Sequence, residues 1–323
     1  MADTISLKIF VAGQEGGTTI SASPSSTMRQ VAQTFFGQPE NVVQPYQFST
    51  NGRRIDSSLT LEQSGFTGGE EIHCVKLPKA RKPVIYLLSP QTIEASVTLS
   101  LIPTWKFSSI YPIVPIHRSP QDSKEEITWR VQVHPGGELT ELITGLKVAY
   151  LFWEAQSEHI TPISPPPSPV LSAPEEDMYR HEIFNPTEAS LDDRNSILIP
   201  IQQITTYLDK TLKHLGLHTE ARTSFITYWL PFMLRHENIA LRFVPQWSFE
   251  KSAPLTVEPS PDVVTRVFMI FQGVPNKDLN KWPVASSTPK DWPKLIGVDL
   301  ARASNTNLFR VLEWGGMEVT PVS

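Results

Sequence analysis

Residues 225–234 read Phe225-Ile226-Thr227-Tyr228-Trp229-Leu230-Pro231-Phe232-Met233-Leu234, the densest apolar stretch of the chain. Phe225, Tyr228, Trp229, Phe232 and Met233 recur at spacings of three, one, three and one, which puts them on one stripe of an α-helix. Thr219 suits the N-cap, and Glu220 places a negative charge in the first turn, where the helix dipole favours it. Pro231 removes a backbone donor and crowds the carbonyl of Thr227, so the helix is expected to kink or stop there. A second helix is read over Ile201 to Leu215, with Pro200 at its start and Gly216 after its end. This hairpin, 201–235, is the core element on which the chain after residue 83 is expected to pack.

The whole chain has 323 residues, which suggests about two domains. Its 40% apolar and 19% charged residues belong to a folded chain, not a disordered one. With 28 basic against 33 acidic residues the net charge is −5, spread without a basic stripe, so neither nucleic acid nor an anionic membrane is expected as a partner. Cys74 is the one cysteine, which excludes an intrachain disulfide and a four-cysteine zinc site. The start of the chain lacks the pattern of a signal peptide, and no apolar run reaches the roughly 18 residues of a membrane span. A cytoplasmic protein is expected.

In the first 77 residues the pattern runs strand (Leu7 to Ala12), turn, strand (Thr18 to Ala22), then a short helix (Met28 to Phe36) capped by Ser25 or Ser26 and closed by Gly37. Tyr46 to Ser49 is a strand before the turn Thr50-Asn51-Gly52, Leu59, Leu61 and Phe66 mark an apolar connection, and Ile72 to Lys76 is the last strand. This order resembles the ubiquitin family over residues 5–77. The matching motifs are Ile5-Ser6-Leu7-Lys8-Ile9-Phe10-Val11, the helix, Asn51-Gly52-Arg53-Arg54-Ile55 with Leu59-Thr60-Leu61, and Gly69-Glu70-Glu71-Ile72-His73. The resemblance implies a β-grasp fold. Processed members of that family end in Gly-Gly, whereas here Lys76-Leu77-Pro78-Lys79-Ala80-Arg81 runs on, so a conjugated tag is not expected. The family's apolar binding patch aligns with Ser49, Val75 and the polar turn Gln14-Glu15, a surface with less apolar area to bury. The segment reads as a docking or folding module.

Residues 78–82 read as a short basic linker, and 83–323 as one β-rich, sandwich-like domain. Val84 to Leu88 is a short apolar strand. Ala95 to Leu101 and Ile127 to Val133 alternate with period two, the mark of strands with one wet face. His134-Pro135-Gly136-Gly137 is a turn, and Leu146 to Ala155 a longer strand. Residues 161–174 are a proline-rich insertion that reads as a stiff surface loop, with Ser164 and Ser168 in Ser-Pro context. Ile197 to Ile199 is a short strand. Val263 to Phe271 and Leu308 to Trp314 are apolar on both faces and so belong inside the sheet. A long loop over 272–306 is expected to be pinned by Trp282 and Trp292. Five motifs in order resemble a family of uncharacterised proteins widespread in bacteria: Lys82-Pro83-Val84-Ile85-Tyr86-Leu87, Tyr150-Leu151-Phe152-Trp153-Glu154, Tyr228-Trp229-Leu230-Pro231, Arg266-Val267-Phe268-Met269 and Val311-Leu312-Glu313-Trp314-Gly315-Gly316. That likeness spans about 83–316 and implies an architecture without an activity. Its union with a ubiquitin-like N-terminus is similar to fungal proteins.

Chemistry is sparse. No metal site is expected: His214 and His218 have i, i+4 spacing, but Gly216 interrupts the helix between them. No nucleophile elbow, Walker loop or dinucleotide fingerprint occurs, so no cofactor is expected. Glu154 and Glu313 each sit on a buried strand beside a tryptophan, Trp153 and Trp314, and Arg266 faces an apolar row on its own strand. A buried carboxylate is either paired or raised in pKa. The favoured expectation is an ion pair between Arg266 and one of the two glutamates. The other is a catalytic carboxylate pair in a cleft with Trp153, Trp314, Arg266 and Tyr150 as binding residues, the arrangement of a glycan or peptide hydrolase. The sequence thus predicts an α+β protein with a β-grasp followed by a sandwich-like domain. It reads as a non-catalytic binding or adaptor protein with a protein partner or a small glycan or peptide ligand; the alternative is that hydrolase.

Overall fold

The computed structural model describes residues 4–12, 16–37, 46–77, 79–157 and 184–319. The proline-rich segment 161–174 with Ser164 and Ser168, and the turn Gln14-Glu15, lie outside these residues. The chain divides into two compact units, within Met1–Leu77 and Pro78–Val319. Both mix strands with helices, and strands predominate.

In the first unit β1 (Ile5–Val11) alternates buried Ile5, Leu7 and Ile9 with exposed Ser6 and Lys8. It pairs antiparallel with β2 (Gly17–Ala22) and parallel with β5 (Glu71–Lys76). Between them come helix α1 (Met28–Phe35), β3 (Tyr46–Thr50) and β4 (Arg53–Arg54), giving the sheet order β2-β1-β5-β3-β4. The helix starts at Met28 as expected and ends at Phe35, one residue early, but its cap differs. Thr27, not Ser25 or Ser26, is the N-cap: its side chain accepts from the Gln30 amide at 3.3 Å while Gln30 accepts from the Thr27 amide at 2.9 Å, a reciprocal capping box. Ser23 and Ser25 bond each other instead, at 2.8 Å. Met28 and Val31 meet Leu7, Phe48, Leu61 and Ile72 in the core. Burial in this core pushes the Cys74 thiol up to about 12, so it is inert at neutral pH.

The second unit begins with β6 (Lys79–Leu88). The basic stretch after residue 78, expected as a linker, is strand: Ala80 is fully buried and Lys79 pairs with Gln156 across the ladder. There follow β7 (Ile93–Leu101), β8 (Trp105–Tyr111), β9 (His117–Arg118), β10 (Glu125–Val133), β11 (Leu139–Glu141), β12 (Lys147–Val148), β13 (Leu151–Ser157) and β14 (Ile197–Pro200). Helix α2 (Ile204–His214) and helix α3 (Thr219–Met233) form the hairpin. Then come β15 (Asn238–Val244), α4 (Gln246–Ser252), β16 (Leu255–Glu258), β17 (Val263–Val274), α5 (Trp292–Ile296), α6 (Leu300–Ala303) and β18 (Arg310–Glu318).

Two sheets result. One has seven strands, β14-β15-β17-β18-β6-β13-β8, with β17 and β18 parallel and interior; the other has the order β12-β11-β10-β7-β16 with β9 beside β10. The single strand expected over Leu146 to Ala155 is two, because β12 belongs to one sheet and β13 to the other. Facing residues of both sheets, among them Leu87, Val97, Trp129, Trp153 and Ile270, make one core. The opposite face of the seven-stranded sheet carries the hairpin in a second core of Phe225, Trp229, Leu241, Phe243 and Trp314.

Helix α3 lays Ala221, Phe225, Trp229 and Met233 against the sheet at a strict four-residue spacing and ends two residues past Pro231. Its N-cap is His218, not Thr219, and no side chain caps it. Trp229 fits because Gly316 leaves room: a Cβ there would meet the Met269 carbonyl oxygen at 2.8 Å and the indole at 3.0 Å. Trp282 and Trp292 are buried, and the segment between β17 and β18 is organised as short helices around them. Among the described residues no helix is long and apolar enough to cross a membrane.

Candidate functional site

Strand register places the predicted carboxylates. Glu313 lies opposite Ile85, and Ile85 opposite Leu151, so all three point to the core between the sheets, together with Trp153. Phe152 lies opposite Val84 and Val84 opposite Trp314, on the face covered by the hairpin. Glu154, two residues past Phe152, points the same way. Glu154 and Glu313 therefore lie on opposite faces of one sheet, and no substrate can sit between them. A working pair needs both acids to flank one bond.

Each glutamate is also engaged. Glu313 is 1% exposed, accepts from Arg266 Nε at 2.5 Å and takes the Trp153 indole N–H at 2.8 Å. Arg266 further donates through Nη1 to Glu250 and, at 2.7 Å, to the Ala253 carbonyl, and stacks 4.5 Å over Phe249. Of its side-chain nitrogens only Nη2 lacks a partner among the described residues. Across the sheet Glu154 accepts from Lys79 Nζ at 2.5 Å and from the Lys82 amide at 3.2 Å. Burial and then the Glu154 charge push the Tyr228 hydroxyl up to about 12, so it stays protonated. Trp153 and Trp314 are fully buried on opposite faces, and Tyr150 packs 5.4 Å from Tyr86. Trp153 and Trp314 therefore do not line one cleft together with the two glutamates.

A site of another composition lies where the hairpin turns. A cavity of about 690 Å³ is bounded by the end of β6 at Leu88, the turn Pro135-Gly136-Gly137, the α2–α3 turn, α6 and the first residue of β18. Gly216 makes the α2–α3 turn possible. It adopts a left-handed φ of +85°, and the site of its missing Cβ is 3.0 Å from Ala303 Cβ. The turn brings Lys213, His214, His218 and Arg222 to the cavity, and β18 adds Arg310. No aspartate or glutamate lines it.

Arg310 and His218 each keep a buried nitrogen without a partner among the described residues, whereas every nitrogen of the Arg222 guanidinium is bonded. Arg310 Nη1 donates to the Ala303 carbonyl at 2.9 Å, while its buried Nε has no partner among the described residues. Burial lowers the Arg310 pKa, with no carboxylate opposing. Arg222 donates to Asp209 and to the Leu217 carbonyl, both at 2.9 Å, and Asp209 remains largely in solvent. His218 has a buried Nδ1 with no partner among the described residues, and its Nε2 is 3.8 Å from exposed Glu220. Burial depresses the His218 pKa most; Glu220 opposes this, while Arg310 and Arg222 add to it. Arg310 and Arg222 thus act against a proton on His218. A second cavity, of about 540 Å³, shares His214 and Leu300 with the first and so adjoins it. Among the described residues no cluster of histidine, cysteine, aspartate or glutamate could hold a metal ion.

Arg222 and Arg310 were not singled out in the sequence. Lys213-His214, His218 and Arg222 around Gly216 are visible as a basic turn, but only the fold brings Arg310 to it.

No family model matches the chain, and no curated protein matches it. Among solved structures, a ubiquitin of Caldiarchaeum subterraneum is similar at 19% identity over 23% of this chain and 94% of its own, with a TM-score of 0.20. A ubiquitin-like domain from tubulin-binding cofactor B is similar at 14% identity over 24% of this chain and 92% of its own, again with a TM-score of 0.20.

Proposed function

We propose that this is a non-catalytic binding or adaptor protein of the cytoplasm. Its first unit is a ubiquitin-like β-grasp module that stays attached to the chain, and its second unit is a ligand-binding module. One observation carries this reading. The acids and tryptophans a hydrolase would need are engaged in packing on two faces of a sheet, while the hairpin turn keeps a ligand-sized cavity lined by two arginines, a lysine and two histidines and, among the described residues, by no acid. The order hairpin, helix and three strands, with β1 and β5 parallel, supports the β-grasp reading. Only Leu77 and Pro78 separate β5 from β6, so release of a tag would cut at the root of a strand. The likeness of residues 83–316 to uncharacterised bacterial proteins, and of the combination to fungal ones, belongs to this reading and adds no activity.

The test is incubation of the full chain with labelled oligosaccharide and peptide panels, read for binding and for products. Binding without turnover is expected. Product formation abolished by Glu154→Gln would overturn the reading. Intact mass from native cells is expected to show the uncut chain; residues 1–77 found linked to other proteins would sink the attached-module claim.

A further inference from the structure

The cavity at the hairpin turn has a definite chemical preference, and the argument for it rests on the reading of the second unit as a binding module. Its wall gathers two guanidiniums, a lysine and two imidazoles, and none of its lining residues is acidic. Arg310 is fixed by its bond to the Ala303 carbonyl, so its orientation costs little to hold, and its Nε still lacks an acceptor. Arg222 is held in turn by Asp209 and Leu217. Placed guanidiniums match phosphate oxygens through paired hydrogen bonds and outcompete a lone ammonium for that geometry. The remaining wall is apolar, with Leu88, Leu217, Leu300 and Ala303. The volume suits a small organic molecule, far more than a bare ion requires.

We propose that this cavity binds a small organic phosphate monoester, with its phosphate on Arg310, Arg222 and His218 and its carbon skeleton on the leucines. Such a dianion offsets the positive charge that Arg222 and Arg310 bring to the lining, which carries no acid of its own. Lys213 and His214, exposed on the rim, add attraction that salt screens.

The experiment is calorimetric titration of the full chain with phenyl phosphate, phenol, inorganic phosphate, succinate and a phosphotyrosine peptide. Phenyl phosphate is expected to bind one to one, more tightly than phenol, inorganic phosphate and succinate, and less tightly as salt rises. Arg310→Gln is expected to weaken it by about tenfold or more. The exposed double variant Lys213→Gln/His214→Gln, which leaves the core intact, is expected to weaken it less. Phenyl phosphate binding that neither variant alters puts the site elsewhere and overturns the proposal. Failure of phenyl phosphate beside firm binding of a glycan or unmodified peptide overturns the phosphate class but leaves the binding module standing. Release of inorganic phosphate would instead bring down the non-catalytic reading. A phosphopeptide preferred by tenfold or more would replace the small ligand with a protein.

Discussion

Arg266 and Arg310 lie on the neighbouring strands β17 and β18, the first inside the sheet and the second at its end, and their charges meet different fates. Arg266 is 2% exposed and has Glu313, Glu250, the Ala253 carbonyl and the Phe249 ring around it. Arg310 has one carbonyl and a cavity. A charge answered from within the fold is a structural element, whatever its resemblance to an active site. A charge held in place and left without a counter-ion is one the fold keeps for something else.

The largest effects belong to the answered charge and to the core behind it. Glu313→Gln leaves Arg266 buried beside a neutral amide and should cost about 3–5 kcal/mol, read as a large fall in Tm. Glu154→Gln touches a pair whose lysine partner keeps some contact with solvent, and should cost less, about 1–3 kcal/mol. Equal losses for the two would show that burial does not separate them. On the other face, Trp229→Ala empties a fully buried site and should cost about 3–5 kcal/mol in denaturant unfolding. Gly316→Ala places a methyl against the Met269 carbonyl and the same indole, and should cost about 1–3 kcal/mol. A Gly316→Ala variant as stable as the parent would mean that the sheet yields there at little cost.

The unanswered charge should behave in the opposite way. Arg310→Gln removes like-charge repulsion and a half-satisfied guanidinium, and gives up one hydrogen bond to a carbonyl. Its unfolding free energy should stay within about 0.5 kcal/mol of the parent or rise above it. A loss as large as that of Glu313→Gln would make Arg310 a structural residue and erase the contrast.

How much of this was legible in the sequence depends on how local each signal is. The apolar stripe through Phe225 and Trp229 depends only on neighbours along the helix, and it located the hairpin correctly. The two-sided apolarity of β17 and β18 likewise announced interior strands. Arg266 facing an apolar row announced a buried pair, and Glu313 is its partner. Other features depend on distant contacts. Strand β15 is buried along its whole length yet went unread, because its asparagine and arginine hide the run. Lys79 and Arg81 look like linker residues because their charges are answered only from afar, for Lys79 by Glu154. The acids at 154 and 313 looked alike, since the sequence does not reveal which sheet face each strand presents. Arg310 gave no signal, because its meaning comes from the α2–α3 turn it joins.

The smallest effect is a pH dependence, and it tests whether burial, reinforced by the guanidiniums, holds the proton off His218. His218 packs its ring edge-to-face on Tyr86 at 4.9 Å, with Glu220 on one side and Arg310 and Arg222 acting against its proton. Burial, reinforced by the two arginines, holds its folded-state pKa below the ordinary 6.5, despite Glu220. Above 6.5 neither the folded nor the unfolded chain carries the proton, and His218 then contributes no slope. As pH falls through 6.5 the unfolded chain takes up a proton that the folded chain refuses, so stability declines until the folded-state pKa is passed. The Tm difference between the parent and His218→Gln, followed from about pH 8 to about pH 5, should therefore turn against the parent on acidification. Phenyl phosphate should reduce that decline, because an anion beside Arg310 and Arg222 offsets the repulsion and binding draws a proton onto His218. A difference that stays flat with pH, or favours the parent at low pH, would show that the imidazole is free of its neighbours and that the cavity wall is not a concerted cationic site.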